Sequence, residues 1–179
     1  MKKVRPSITS YSYLFFLFLL FTYTGCGVYS FSGASTLAKT INISEFYNNT
    51  DLAPANIGQN FTNRLKDYYQ RNSSLTVVSE QGELQIEGTI TDYKLTPMAP
   101  ASSGTNTTND AAALTRLTIG LKATYVDNLN PVNNFKDKTF SFYKDFTNDQ
   151  NLTDVQEAYV KEIFDRIIND IFNATVANW

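Results

Sequence analysis

Ile41 and Ile43 alternate with Thr40, Asn42 and Ser44, the period-two pattern of a half-buried strand, and Asn48-Asn49-Thr50-Asp51 supplies turn residues after it. From Pro54 to Asn72 the period lengthens. Ile57, Phe61, Leu65 and Tyr68 share one helical face, Arg64, Lys66, Asp67, Gln70 and Arg71 mostly take the wet side, and Pro54 suits a first turn. Leu75 to Val78 reads as a short strand and Glu80-Gln81-Gly82-Glu83 as a turn. Leu84, Ile86 and Ile90 then alternate with Gln85, Glu87, Thr89 and Thr91, with Gly88 marking a bulge or a close backbone approach and Pro97 and Pro100 closing the strand.

The cleanest alternation is Leu117, Ile119, Leu121, Ala123 and Tyr125 against Thr118, Gly120, Lys122 and Thr124, and it ends in a turn from Asp127 to Pro131. Phe140, Phe142 and Phe146 line one face of a further strand, opposite Thr139, Ser141, Tyr143 and Asp145, and read as core rather than as a lipid slot. Thr153-Asp154-Val155-Gln156 has the form of a capping box. The helix after it carries a stripe of Val155, Tyr159, Ile163, Ile167 and Ile171, widened by Phe164, Ile168 and Phe172, so it must be heavily buried.

Helices with one apolar face and mostly one-sided strands predict an α+β fold, a two-layer sandwich of a mixed four-stranded sheet with two helices on one face. The other sheet face carries Thr, Ser, Asn, Lys and Tyr, and can face water or a polar partner. Residues 101–113 show no apolar period, and a stretch of that kind in a small domain is either functional or disordered.

The first thirty residues are organised differently. A basic start (Lys2, Lys3, Arg5) precedes an apolar run from Tyr13 to Phe21 and then Thr22-Tyr23-Thr24-Gly25-Cys26, the order of a secretory leader. The run is too short for a spanning helix, which needs about 20 residues. Cys26, the only cysteine, stands where a bacterial lipobox places the residue that is acylated, although Tyr23 occupies a position usually held by Leu. The expected organisation is a lipoprotein signal peptide over 1–25, a lipidated tether over 26–38 and a folded domain over 39–179. The other reading is an ordinary leader with a free thiol. No acidic run follows Cys26, so by analogy the expected location is the outer membrane, facing the periplasm.

Composition narrows the chemistry. The chain has 179 residues, a formal charge of -2, one cysteine and no histidine. Internal disulfides, cysteine-rich zinc sites and every His-dependent catalytic arrangement are excluded. No carboxylate pair or phosphate-binding glycine loop stands out, so no catalytic residue, metal or cofactor is expected and the protein reads as a non-enzyme. The acidic balance argues against nucleic acid as a partner.

Several stretches carry a resemblance. Cys26-Gly27-Val28-Tyr29-Ser30-Phe31-Ser32-Gly33-Ala34-Ser35, the strand start Arg116-Leu117-Thr118-Ile119, and the ending from Asp170 to Trp179 resemble the LptE-like lipopolysaccharide-assembly lipoproteins in their Bacteroidetes form. The pattern departs at Thr115, where Asn is expected. The resemblance implies a subunit of the outer-membrane lipopolysaccharide translocon that plugs the LptD β-barrel, assists its assembly and helps deliver lipopolysaccharide to the outer leaflet. Its implied partners are an LptD-like barrel, lipopolysaccharide and, through acyl chains on Cys26, the membrane. The alternative is a periplasmic lipoprotein that carries a small ligand or peptide.

Arg116, Lys122, Lys136, Lys138 and Lys144 lie on or beside the last two strands, and an anionic, phosphorylated glycolipid would be drawn to them. Arg116 and Lys122 are the candidate lipopolysaccharide contacts. The plainer reading is ordinary solvated strand charge, since Asp137 and Asp145 interleave.

Overall fold

The computed structural model describes residues 36–98, 114–147 and 152–177, with only the backbone of Leu152 and Asp154. The leader over 1–25, Cys26, the tether up to Ser35 and the 101–113 stretch lie outside the described residues. In chain order the elements are β1 (Thr40–Ile43), β2 (Tyr47–Asn48), α1 (Ile57–Asn72), β3 (Thr76–Val78), β4 (Leu84–Met98), β5 (Leu114–Asp127), a 3-10 turn (Pro131–Asn133), β6 (Phe135–Thr147) and α2 (Leu152–Thr175).

The strands form one sheet in the order β3-β1-β4-β5-β6, with β2 also paired to β4. β1 runs parallel to both β3 and β4, and β2 runs parallel to β4, whereas β4, β5 and β6 form an antiparallel meander. The sheet is therefore mixed, and both helices cover one face, as the periodicities predict. Among the described residues it has six strands rather than four, because β3 joins the edge and β2 is too short to show a period.

β1 and β2 are one edge of β4 interrupted at Ser44–Phe46, and the cause of the interruption is Phe46. Its N–H donates to Thr62 Oγ1 at 2.9 Å, and its ring enters the core at 1% exposure. There it packs on Phe61 with centroids 4.8 Å apart. The ring occupies the space that a side chain at Gly88 would need, since a Cβ there would stand 2.3 Å from it and 2.5 Å from the Lys122 carbonyl. Of the two readings of Gly88, close approach is the one realised.

The bulge falls elsewhere. Ile90 faces Leu121 and Asp92 faces Gly120, so Thr91 is the extra residue. It moves the inward row from Ile90 to Tyr93, which sequence alternation alone had not placed in the core. β4 also runs through Pro97 to Met98 instead of ending there. Among the described residues, β4 past β2 has a neighbour on one side only, and an edge tolerates the missing N–H.

The core lies between Ile41, Ile43, Leu84, Ile86, Leu117, Ile119 and Leu121 on the sheet and the helical residues Phe61, Leu65, Tyr69, Ile163, Phe164, Ile167 and Ile171, all buried. On α1 it is Tyr69 that is fully enclosed, while the expected Tyr68 is half-buried. Phe140 and Phe146 are core residues, and Phe142 packs against the core partly buried. The second helix begins at Leu152, before Thr153, and the Gln156 side-chain amide donates to the Tyr93 hydroxyl at 2.6 Å, tying α2 to β4.

Candidate functional site

The sheet face away from the helices is the open surface of the domain, and the strand register sets its layout. Across β4, β5 and β6 the rungs read Thr96–Arg116–Asp145, Lys94–Thr118–Tyr143, Asp92–Gly120–Ser141 and Thr89–Lys122–Thr139. Arg116 and Lys122 both lie on this face because they are an even number of residues apart on one strand. Six residues of strand separate them by about 20 Å, too far for one phosphate to bridge.

Their surroundings differ. Arg116 Nε and Nη2 donate to the two carboxylate oxygens of Asp145 at 2.7 and 2.8 Å, and the guanidinium carbon lies 3.6 Å from the Tyr143 ring centroid. These hydrogen bonds raise the Arg116 pKa and hold the Asp145 carboxyl below its ordinary range. Lys122 is exposed and lines a shallow groove of about 390 Å³ together with Glu45, Tyr47, Glu87 and Asp137. Between the two cations, Asp92 accepts from Lys94 and from Thr91 Oγ1, and these bonds, with the Lys122 charge adding, hold its carboxyl low. Gly120 leaves room for it, since a Cβ there would sit 3.1 Å from the Asp92 side chain.

The other three cations are placed differently. Lys144 sits on the helix side of β6, where it pairs with Glu162 of α2 at 2.8 Å. The Lys138 ammonium lies 5.2 and 5.4 Å from the Phe135 and Phe140 ring centroids, and Lys136 is exposed. The five do not form one patch. The open face is a polar surface of alternating charge, with Tyr143 and Tyr47 as its exposed aromatics. Sequence reasoning missed Tyr47 and Glu87 as neighbours of Lys122, and the only signal for Asp145 as the partner of Arg116 was its interleaved charge.

Among the described residues, no group of three or more Asp, Glu, His or Cys could hold a metal ion, and no helix is long and apolar enough to cross a membrane.

The hypothetical protein CT253 of Chlamydia trachomatis shares the fold, with a TM-score of 0.51 at 8% identity over 76% of this chain and 97% of that one. A minor lipoprotein of Acinetobacter baumannii gives a TM-score of 0.47 at 11% identity, covering 76% of this chain and 91% of that one. Uncharacterized lipoprotein B of Nitrosomonas europaea gives 0.45 at 15% identity, covering 75% and 79%. No curated protein sequence matches the chain. The sequence profile described as LptE, lipopolysaccharide-assembly, matches residues 38–175, from the buried Ala38 to the end of α2. That span takes in every strand and both helices, and the chain belongs to the LptE lipopolysaccharide-assembly family.

Proposed function

We propose that this chain is an outer-membrane lipoprotein, lipidated on Cys26, which becomes the first residue when residues 1–25 are removed, and that it serves as a subunit of the lipopolysaccharide translocon. In this reading the domain sits within an LptD-like β-barrel, helps that barrel assemble, plugs it, and assists lipopolysaccharide on its way to the outer leaflet. The family match over residues 38–175 is the observation that supports it. The folded domain suits such work, since its helices are buried against one sheet face and the other is a broad polar surface for a partner. Arg116 and Lys122 are proposed as contacts for separate anionic groups of lipopolysaccharide, each within a neutralised neighbourhood instead of a strongly basic patch.

The carrier alternative needs space between sheet and helices. That space is filled by side chains such as Phe61, Leu65, Ile163 and Phe164, each 0% exposed. Depletion of the protein in its native cell tests the proposal: newly made lipopolysaccharide should stop reaching the surface and accumulate in the periplasm or inner membrane. Undiminished surface labelling after depletion would refute it.

A further inference from the structure

The turn between β5 and β6 displays aliphatic side chains on a frame whose backbone donors are largely satisfied. Asp127 Oδ1 accepts the N–H groups of Leu129 and Asn130 at 2.8 and 2.9 Å, and the Asp127 N–H donates to Asn134 Oδ1 at 2.6 Å. The Asn128 N–H and side-chain amide donate to the carbonyls of Glu83 and Gly82 at 3.0 and 3.3 Å. The Asn134 N–H closes the 3-10 turn on Pro131 at 3.1 Å. Asp127 is itself buried, and the stretch Asn128-Leu129-Asn130-Pro131-Val132-Asn133-Asn134-Phe135 carries no charged side chain.

Leu129 is nonetheless 51% exposed and Val132 87% exposed. Leu37, 91% exposed, lines the same groove as Leu129. Among the described residues six large aliphatic side chains are exposed, and three of them gather at this end of the sheet, Leu52, Leu95 and Leu114 being the others; the grouping marks an interaction surface. An uncharged turn with most of its N–H groups bonded and with aliphatic tips suits the interfacial layer of a bilayer, where the side-chain amides of Asn130, Asn133 and Asn134 can stay among hydrated headgroups. The chain also arrives at this end. Nine residues separate Cys26 from Thr36, a reach of at most about 35 Å.

We propose that Leu37, Leu129 and Val132 form a second membrane contact, entering the surface of the leaflet in which the acylated Cys26 is moored. The inference rests on the lipid-anchoring part of the proposed function and adds to it the face that meets the bilayer. Two or three acyl chains already make attachment lasting, so the contact sets orientation rather than affinity.

The test places a single environment-sensitive fluorophore on the mature acylated chain through Val132→Cys or, at the far end of the sheet, Thr96→Cys. The protein is reconstituted in vesicles of phosphatidylethanolamine and phosphatidylglycerol that carry a spin-labelled lipid. Cys26 is the only native cysteine, so one dye per chain reports a blocked thiol and two report a free one. The label at 132 should lose about half or more of its emission to the lipid quencher, at the interfacial depth of such contacts, while the label at 96 keeps its own. Flotation with the vesicles but no quenching at 132, or equal quenching at both positions, overturns the assigned face and leaves the anchoring intact. Two dyes per chain, or no flotation, overturns the anchoring and this inference with it. Quenching at 132 that vanishes when a co-purified β-barrel is added assigns the patch to the barrel and overturns the bilayer contact.

Discussion

Arg116 holds Asp145 through two hydrogen bonds, Nε to Oδ1 at 2.7 Å and Nη2 to Oδ2 at 2.8 Å, with Tyr143 beneath the guanidinium. The cation that the sequence marks for phosphate is thus already partnered within the sheet. A guanidinium has five N–H donors, and an incoming anion must use those left over or displace the carboxylate.

Asp145→Asn should therefore increase lipopolysaccharide retention by the purified protein. Arg116→Glu combined with Lys122→Glu should reduce it about tenfold or more, as for loss of charge-assisted bonds. Pull-down with labelled lipopolysaccharide measures both. Unchanged retention in the double variant removes these two residues from the binding surface.

Gly88→Ala should destabilise the domain by about 1–3 kcal/mol through overpacking. The new methyl would meet both the Phe46 ring and the Lys122 carbonyl oxygen. Adding Phe46→Leu should recover only part of the loss, because the backbone contact stays. Urea unfolding of the single and double variants checks this; a neutral Gly88→Ala contradicts the close approach.

Tyr69 and Thr175 share a buried hydrogen bond of 2.6 Å that joins the C-terminal ends of the two helices. Thr175 Oγ1 also bonds the Ile171 carbonyl at 2.9 Å, so Tyr69→Phe leaves it partnered and should cost about 1 kcal/mol. Thr175→Val strands the phenol in the core and should cost more, about 1–3 kcal/mol. Equal or reversed costs in chemical denaturation would contradict this asymmetry.

Stability should form a broad plateau in pH. Asp92, Asp145 and Glu83 have lowered pKa values, held by the Lys94 and Arg116 hydrogen bonds and, for Glu83, by the Lys39 N–H. Their stabilisation is present above the unfolded value of about 4 and is lost as pH falls through the lower folded values. Burial raises Tyr69 and Tyr125, so their stabilisation is present below the unfolded value of about 10 and is lost as pH rises beyond it. With no histidine in the chain, urea midpoints should be nearly flat from about pH 5 to 9. A step between pH 6 and 7 would contradict this.

Much of the fold was legible because one-sided burial writes a period into the chain. The rows of β5 and α2 needed no other information. Tyr93 was not legible, because a single bulge residue, Thr91, reverses the facing of everything after it. β2 was hidden by its length, and its position depends on Phe46 finding the space over Gly88, a contact between distant segments. The candidate site was legible only as residue types. Alternation placed Arg116 and Lys122 on one face, but the register that sets Arg116 opposite Asp145 and separates the five cations is tertiary.

In the proposed function this domain works as part of a barrel complex. The most direct test is extraction of the tagged, mature protein from its own membranes in mild detergent, followed by identification of what remains bound after size-exclusion chromatography. A large outer-membrane β-barrel eluting with it in fixed ratio is the predicted result. Elution of the protein alone, from membranes shown to contain the barrel intact, would contradict the account.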